Sequence, residues 1–372
     1  MNTKPLRVLQ VIDSLEPGGS EKMAVQIANE LSQKVELSAL ACTRKSGALE
    51  NELSKKVVSF TTNKKGKFDL KAFFKLKAFI KSNQINIIHA HSTSFFWGTI
   101  LKVLSKDVKL IWHDHYGNRI NTTKRSNLSL YLFSFLFNQI ITVNQGLKHW
   151  SMENLNCKYV NYLPNFISDF SKTNPSSNTK LRGKSSAFKI VHIANLRPEK
   201  DHNTALKAIN ILIQNNHSIS YHIIGDYTPE SEYFKNIKSY IDENRLNEKV
   251  FIYGSQSGIP DILQQADIGL LSSISEGLPV SLLEYAMAGL PVIVTDVGQC
   301  RQLVGEHGLV IEPQNETQLA NAILEISENR DLANKKATKL EEVISQNFNS
   351  SKAIEELIKI YNISLQNELE KK

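Results

Sequence analysis

Long apolar runs and paired cysteines are missing from this 372-residue chain. Its three cysteines, Cys42, Cys157 and Cys300, lie far apart, without a CxxC pair or a Cys/His spacing suited to zinc. Such a sparse, odd count is typical of a reducing compartment rather than of a disulfide framework. The longest apolar stretch, residues 128–137, contains two serines and is shorter than the roughly 20 residues that cross a bilayer. Since no cleavable signal pattern precedes the first strand, we expect a cytoplasmic protein.

Motifs of several large enzyme classes are also missing. The chain has no P-loop, no GxSxG and no catalytic Cys/His spacing. The glycine turn at residues 17–21, PGGSE, lacks the GxGxxG pattern, so a nicotinamide cofactor is not indicated.

The order of apolar segments predicts two α/β domains. Apolar β-branched runs alternate with amphipathic helices from residue 6 to 143 and again from 189 to 347, and a Ser-, Asn- and Lys-rich segment separates the two series. We therefore predict a doubly wound domain at 1–167, a linker at 168–186 and a second such domain at 187–350. A last helix at 351–372 is expected to pack back toward the first domain.

Charge is distributed unevenly between the two halves. Residues 1–170 carry a net charge of +11, whereas residues 171–372 carry −4. The helix predicted around residues 70–80 lies in a segment with seven lysines, from Asn63 to Ser82. We expect these lysines to face an anionic membrane surface, and we expect Phe73 and Phe74 of the same helix to pack into the core. Nucleic acid is disfavoured because stacking platforms and binding motifs are missing.

The most informative segment follows a strand near residue 271. Glu276 lies in the turn before a helix, and Glu284 lies on that helix, eight positions later. Two carboxylates so placed can each accept a pair of hydrogen bonds from a diol, as in a sugar or a ribose. The string EGLPVSLLEYAMAGLPVI that contains them resembles the donor-site motif of family 4 glycosyltransferases, which are retaining enzymes of the GT-B fold.

This resemblance implies a role for each residue of the segment. Glu276 corresponds to the carboxylate that contacts hydroxyls of the donor sugar, and Glu284 to the one that holds the nucleotide ribose. Gly277, Leu278 and Pro279 would line the sugar and phosphate pocket. The implied fold has two Rossmann-like domains facing a central cleft.

A second match lies in HIANLRPEK, residues 192–200, after the first strand of the second domain. It is similar to the family loop G-R-L-x-x-x-K, whose Arg and Lys hold the donor diphosphate. Lys200 matches the family lysine, whereas Asn195 stands at the arginine position. We expect Arg197, two residues further on, to share the phosphate role. Fixed cations are needed because the nucleotide leaving group gains negative charge.

Other donor-site positions are implied more loosely. Gly18 and Gly19 resemble the glycine loop of the family's first domain, which faces the donor. Gly225, Tyr253 and Ser255 lie in loops where the nucleotide base would rest.

Histidines end two strands of the first domain, in the segments HAH at 89–91 and HDH at 113–115. The resemblance assigns His113 to the reacting sugar or the acceptor, with His115 as the second choice, and places His91 on the acceptor side. His89 is interpreted as a structural histidine. A metal site built from these rings is the disfavoured alternative.

The sequence thus predicts a hexosyltransferase-type glycosyltransferase for cell-envelope polysaccharide biosynthesis. Catalysis is assigned to His113, Glu276 and Lys200, the donor is a UDP- or GDP-sugar, and the acceptor is a glycolipid or growing surface polysaccharide. The Asp-x-Asp pair that metal-dependent GT-A enzymes use is missing, so we expect no metal and no cofactor. Peripheral binding to the inner face of the cytoplasmic membrane is expected. The alternatives are a non-hydrolysing nucleotide-sugar epimerase and an inactive GT-B partner subunit.

Overall fold

The computed structural model describes residues 4–66, 68–105, 107–123, 125–168 and 179–366. The chain divides into two compact units, one made of Met1–Ser168 together with Ser350–Lys372, the other of Asp169–Asn349. Most of the predicted linker, residues 169–178, lies outside the described residues. Among the described residues, no helix combines the length and apolarity needed to span a membrane.

The first unit contains a seven-stranded parallel sheet in the order β3-β2-β1-β4-β5-β6-β7. Its inner strands are mostly buried because helices cover both faces of the sheet, which explains their continuous apolar runs. The strands are β1 (Arg7–Ser14), β2 (Leu37–Lys45), β3 (Val58–Thr61), β4 (Ile87–His91), β5 (Lys109–Asp114), β6 (Gln139–Thr142) and β7 (Val160–Tyr162). The helices are α1 (Gly19–Leu31), α2 (Leu70–Ser82), α3 (Phe95–Val103), α4 (Leu128–Phe133), α5 (Gln145–Asn154) and the C-terminal α13 (Ser350–Gln366).

The second unit contains a six-stranded parallel sheet in the order β10-β9-β8-β11-β12-β13. Its strands are β8 (Phe188–Ile193), β9 (Ile219–Ile224), β10 (Val250–Ile252), β11 (Ile268–Leu271), β12 (Val292–Thr295) and β13 (Leu309–Ile311). Its helices are α6 (His202–Gln214), α7 (Glu232–Glu243), α8 (Ile259–Leu263), α9 (Val280–Met287), α10 (Cys300–Val304), α11 (Glu316–Glu328) and α12 (Arg330–Asn347). The prediction of two doubly wound parallel sheets is confirmed.

Both sheets reverse their strand order at one point. In the first unit this switch lies between β1 and β4, and in the second it lies between β8 and β11. Open α/β sheets bind ligands outside the carboxyl ends of the strands at such a switch. The loops after these four strands are therefore the places to look for a site.

The C-terminal helix α13 belongs to the first unit. Its residues Ile354, Leu357 and Ile360 are buried, and the Tyr361 side chain is fully enclosed. The hydroxyl of Tyr361 lies 2.7 Å from Nδ1 of His89 on β4. Residues 351–372 were predicted as this helix, of which those beyond 366 lie outside the described part.

The packing of α2 differs from the prediction in one respect. Phe73 is buried at 7% exposure, but Phe74 is 57% exposed. The buried face of α2 is formed instead by Ala72, Phe73, Leu76 and Ile80. This spacing of one, three and four residues is the ordinary buried stripe of a surface helix, and Phe74 falls outside it.

Candidate functional site

In the second unit, the loops after β8 and β11 bring a lysine and a glutamate together. Nζ of Lys200 lies 2.6 Å from Oε1 of Glu276, and the same carboxylate oxygen accepts a hydrogen bond of 2.6 Å from Oγ of Ser273. The Glu276 side chain is 9% exposed and that of Lys200 is 26% exposed. The pair therefore lies at the topological switch with the ammonium group still accessible.

The loop that carries Lys200 is fixed by the end of β11. Oγ of Ser272 donates to the carbonyl oxygens of both Lys200 and Asp201, at 3.1 and 3.0 Å. Asp201 has a left-handed backbone conformation with φ of 47°, and its carboxylate caps α6 through Thr204. A buried serine and a capping aspartate thus hold the lysine against Glu276.

The turn that carries Glu276 is packed against a second backbone segment. Gly298 has φ of +55°, and a Cβ there would collide with the carbonyl oxygens of Glu276 and Gly277. The backbone N–H of Gln299 donates to the Gly277 carbonyl at 3.0 Å. Only glycine permits this close approach, so the loop after β12 fixes the position of the turn after β11.

Helix α9 begins after this turn and contains Glu284. Pro279 is the N-cap with an extended backbone, Leu278 is buried, and Glu284 is 6% exposed. The helix is locked to the sheet by Tyr285, whose hydroxyl donates to the Leu270 carbonyl at 3.1 Å and accepts from Ile193 N–H at 2.6 Å. The structure thus places Glu276 before α9 and Glu284 about one turn into it.

The residue at the expected arginine position has a structural contact. Oδ1 of Asn195 accepts a hydrogen bond of 2.8 Å from the backbone N–H of Asp226, in the loop after β9. Gly225, next to it, lies so close to Ala194 that a Cβ would collide with that carbonyl group. Arg197 is exposed, and among the described residues no hydrogen bond or ion pair engages its guanidinium. Arg197 and Gly225, which were predicted as donor residues, therefore lie with Asn195 in adjacent loops of one sheet edge.

Tyr253 and Ser255 follow β10, farther along the same sheet. The Tyr253 hydroxyl lies 2.9 Å from Nδ1 of His222 and accepts from the Arg182 N–H at 2.7 Å. Oγ of Ser255 is buried and has no hydrogen-bond partner in the described chain. Tyr253 is therefore engaged in structural contacts, while the Ser255 hydroxyl is not.

In the first unit, Gly18 and Gly19 begin α1 directly after β1. Gly18 is the N-cap with an extended backbone, and a Cβ on it would collide with the carboxylate of Glu21. That carboxylate also accepts a hydrogen bond of 2.8 Å from Oγ of Ser20. Among the described residues no side-chain hydrogen bond caps the N-terminus of α1, and the approach of the glycine turn to the donor stays a prediction.

Four histidines cluster at the other side of this switch, at the ends of β4 and β5. Nε2 of His89 lies 3.2 Å from Nδ1 of His113, and Nδ1 of His91 lies 3.0 Å from Nε2 of His115. The rings of His89 and His91 stack with centroids 4.5 Å apart, and those of His113 and His115 lie 4.0 Å apart with their planes tilted by 31°. His89, interpreted above as structural, belongs to the same cluster as the three site histidines.

Burial keeps these four rings neutral. Desolvation lowers the pKa of His89 and of His115 to about 3, and it lowers the pKa of His91 and of His113 well below the usual value. Nε2 of His113 and Nδ1 of His115 are buried and have no hydrogen-bond partner in the described part of the chain.

Nitrogen atoms of His89, His91 and His113 lie within 4.8 Å of one another. This trio is where the described residues could hold a metal ion. The rings are also joined by the hydrogen bonds given above, which neutral imidazoles can form, while one nitrogen of His113 and one of His115 have no partner in the described residues. The expectation of a metal-free enzyme stays a prediction.

Several contributing residues were not identified from the sequence. Ser272 and Ser273 shortly precede Glu276, and two hydroxyls so near a carboxylate are a sequence signal for hydrogen bonds that fix its loop. Gln10 and Tyr361 contact the histidine cluster from opposite ends of the chain, 351 positions apart. No local sequence signal connects them.

Two family models together match most of the chain, one over the first α/β series and one over the second. The model described as "Glycosyltransferase Family 4" matches residues 17–169, and the one described as "Glycosyl transferases group 1" matches residues 176–343. The chain belongs to the family 4 glycosyltransferases. The predicted enzyme class, a glycosyltransferase of class EC 2.4, is thereby confirmed.

Two curated relatives from Escherichia coli align over most of this glycosyltransferase. One is UDP-Gal:alpha-D-GlcNAc-diphosphoundecaprenol alpha-1,3-galactosyltransferase, 24% identical over 79% of this chain and 79% of its own. The other is the O-antigen biosynthesis glycosyltransferase WbnH, 25% identical over 81% of this chain and 85% of its own.

The crystal structure of Anabaena HepE in complex with UDP and glucose is similar to this chain, with a TM-score of 0.79 and 18% identity. The similarity covers 95% of this chain and 98% of HepE. Together with the two parallel α/β sheets, it confirms the predicted GT-B fold.

Proposed function

We propose that this glycosyltransferase moves a hexose from a nucleotide sugar to a hydroxyl of a glycolipid or growing surface polysaccharide. The reaction retains the anomeric configuration and needs no metal. The observation that carries the proposal is the Lys200–Glu276 pair at the β8/β11 switch, with Glu284 one helical turn beyond. A cation in contact with one carboxylate, followed by a second carboxylate on the next helix, offers partners for the phosphates and the hydroxyls of a nucleotide sugar.

Each group of this site has a distinct task in the proposal. The free oxygen lone pairs of Glu276 accept hydrogen bonds from hydroxyls of the donor sugar. Glu284, nearly buried on α9, accepts from the ribose diol. Lys200 and the exposed Arg197 stabilise the negative charge that develops on the leaving nucleotide. In this scheme the departing diphosphate oxygen takes the acceptor proton on the same face, so no strong protein base is required.

The names of the relatives narrow the substrates that we propose. The galactosyltransferase relative uses UDP-Gal and a diphosphoundecaprenol-linked acceptor, and WbnH acts in O-antigen biosynthesis. HepE was crystallised with UDP and glucose. We therefore place a UDP-hexose in the second unit, and a lipid-linked glycan at the histidine cluster of the first.

A lipid-linked acceptor requires contact with a membrane surface, and the first unit has a surface that suits it. Around the start of α2, Phe68 is 81% exposed, Leu70 67% and Phe74 57%. Phe68 contacts Phe96 of α3, which in turn contacts Phe133 of α4. The exposed apolar residues of the α4 region continue this surface; they are Leu128, Leu132 and Phe135.

Basic residues surround these side chains. Lys71 and Lys75 are exposed on α2 beside Phe74, and Arg125 is exposed before α4. Apolar side chains flanked by Lys and Arg are the composition that binds anionic lipid. We propose that this docking surface, formed by Phe68, Leu70, Phe74, Leu128, Leu132, Phe135 and these cations, lies on the membrane that carries the acceptor.

The donor site is tested by thermal unfolding against UDP-galactose, UDP-glucose, UDP-N-acetylglucosamine and GDP-mannose, each with EDTA. A ligand at about 100 times its Kd contributes roughly 2.7 kcal/mol, which raises Tm measurably. We expect one UDP-sugar to stabilise the wild type. Glu284→Ala should lose most of that shift, because the ribose hydroxyls lose their acceptor. Glu284→Gln should lose less, because its amide oxygen still accepts a hydrogen bond.

Glu325→Ala is the matched control, because Glu325 is exposed on α11. It should keep the full shift. If no nucleotide sugar stabilises the wild type, the donor proposal is wrong and the inactive partner subunit becomes the better interpretation. If stabilisation requires added Mg²⁺ or Mn²⁺, the metal-free mechanism is wrong. Conversion of the UDP-sugar into its epimer without an acceptor would support the epimerase alternative.

A further inference from the structure

A glutamine and a tyrosine, far apart in sequence, meet between the histidines of β4 and the C-terminal helix. Oε1 of Gln10 on β1 lies 2.8 Å from Nε2 of His91, and Nε2 of Gln10 lies 3.5 Å from the Tyr361 hydroxyl. That hydroxyl lies 2.7 Å from Nδ1 of His89. Gln10 and Tyr361 are both fully buried. One amide therefore contacts two branches of hydrogen-bonded histidines.

The first branch has a defined direction because a carbonyl oxygen only accepts. Nε2 of His91 must donate its proton to Oε1 of Gln10, which leaves Nδ1 of neutral His91 as an acceptor. His115 then donates from Nε2 to His91 at 3.0 Å. The remaining nitrogen of His115, Nδ1, carries a lone pair and has no partner in the described chain.

The second branch takes its direction from the amide nitrogen, which only donates, and from the Tyr361 hydroxyl proton, whose described acceptor is Nδ1 of His89. Nε2 of Gln10 donates to the Tyr361 oxygen, so the hydroxyl proton is available to Nδ1 of His89. His89 then donates from Nε2 to Nδ1 of His113 at 3.2 Å. Nε2 of His113 keeps its proton and has no partner in the described residues. A reversed amide would reverse both branches and protonate Nδ1 of all four rings.

We propose that Gln10 and Tyr361 are positioning residues that fix His89, His91, His113 and His115 as Nε2–H tautomers. We call this hydrogen-bonded arrangement of the six side chains the tautomer relay. Nε2–H of His113 can then donate a hydrogen bond to a sugar hydroxyl, and Nδ1 of the neighbouring His115 can accept one from it. The inference rests on the proposed function for the identity of that ligand. The hydrogen-bond directions do not depend on it. The neutral state of the rings, which burial enforces through their lowered pKa, makes the tautomers well defined.

The direct test is long-range ¹H–¹⁵N NMR of the histidine-labelled full chain, with single His→Gln variants for assignment. We expect protonated Nε2 on all four imidazoles of the wild type. Tyr361→Phe removes the partner of His89, so His89 and His113 should become mixtures of tautomers. His91 and His115 should keep Nε2–H, because Gln10 still holds them. Four Nδ1–H rings in the wild type, or no change in Tyr361→Phe, would overturn the proposal.

Kinetics separate a positioning role from a merely structural one. With UDP release measured from UDP-galactose and UDP-glucose, Tyr361→Phe should lower kcat about tenfold, the effect of one hydrogen bond, with little change in KM. Tyr240→Phe removes a tyrosine hydroxyl whose described contact is Asn210, at 3.4 Å, and should leave kcat unchanged. Equal losses in both variants would contradict the role of Tyr361.

Two further outcomes are distinguishable. If the wild type binds and cleaves no UDP-sugar but shows the four Nε2–H rings, the proposed function fails and the tautomer relay stands. If the purified protein contains a metal ion whose removal by EDTA changes the imidazole signals, the rings are metal ligands and the relay is wrong.

Discussion

Lys200 connects the chemistry of the donor with the stability of its loop. Its ammonium group contacts Glu276 at 2.6 Å, and its carbonyl oxygen accepts from Ser272. Because Glu276 also accepts from Ser273, removal of the ammonium group leaves the carboxylate with a hydrogen-bond donor. The side chain of Lys200 can therefore be removed with less damage to the fold than to the reaction.

We expect Lys200→Ala to lower kcat about 100- to 1,000-fold, the usual effect of removing one group that stabilises developing negative charge. Lys200→Arg should recover part of the rate because it restores a cation. The measurement is UDP release from the UDP-sugar that stabilises the wild type, accompanied by Tm. Lys207→Ala is the control, since Lys207 is 52% exposed and its only described ion pair, at 3.9 Å, is a weak surface contact. Wild-type turnover in Lys200→Ala would refute the assignment.

At this scale the sequence was informative where chemistry and spacing coincide. Lys200, Glu276 and Glu284 could be predicted because their flanking string is specific, and the structure places them at one sheet switch. The part played by Asn195 could not be predicted. Its amide contacts Asp226, a residue 31 positions away, and only the fold brings the two together.

Helix α2 exposes large apolar side chains to solvent near its N-terminal end. Leu70 and Phe74 are exposed, although the buried stripe through Phe73 is complete without them. Exposed apolar groups of this size on a surface with basic neighbours mark an interaction site. We therefore expect the docking surface formed by α2 and α4 to bind anionic vesicles.

We expect the wild type to bind vesicles that contain phosphatidylglycerol, and to bind less as salt is raised. Phe74→Ser should weaken binding at least tenfold, because inserting a Phe side chain is worth about 1.5–3 kcal/mol. Lys71→Glu should weaken it and reduce the salt dependence. The control is Leu332→Ser, since Leu332 is also 57% exposed but lies on α12. Equal binding to pure phosphatidylcholine vesicles would contradict the electrostatic part of the proposal.

Elements with a clear apolar period can be predicted from the sequence, whereas elements without one cannot. Helix α3 has the sequence FFWGTILKV, which is apolar almost throughout and therefore shows no helical period. No side-chain cap at Ser94 marks its start either. Strand β3 is partly exposed, at an edge of the sheet, and β7 is only three residues long. Helix α4 covers only Leu128–Phe133, the first part of the apolar stretch at residues 128–137. Oγ of Ser134 there donates to the Tyr131 carbonyl and accepts from the Asn156 N–H.

On the scale of the whole molecule, the histidine cluster shows what the sequence could not reveal. His91, His113 and His115 lie at or just after the ends of two neighbouring strands, and the carboxyl ends of parallel strands share one edge. The contact of His89 with Tyr361 spans 272 positions and depends on the return of α13 to the first unit. Helix periodicity places Tyr361 on a buried face but does not say which sheet that face covers.

Buried histidines in both units also determine how stability depends on pH. The pKa of His89 and of His115 in the first unit is lowered to about 3, that of His202 in the second unit to about 3, and that of His222 to about 4; burial is the largest cause in each case. In the unfolded chain the same groups titrate near 6.5. Below that value the unfolded state binds protons that the folded state does not, so acidification favours unfolding.

The stability contributed by these rings should be fully present above about pH 6.5 and lost progressively toward about pH 3–4. Each ring should add a slope of about 1.4 kcal/mol per pH unit within that window. We expect the urea midpoint to fall markedly between about pH 7.5 and pH 5, with the fall shared by both units because both contain such rings. His222→Gln removes one titrating group outside the histidine cluster and should make the pH dependence shallower by one ring. A midpoint that is constant over this range would mean that the histidines are already protonated, or solvated, in the folded protein, and would contradict the buried neutral network on which the tautomer relay depends.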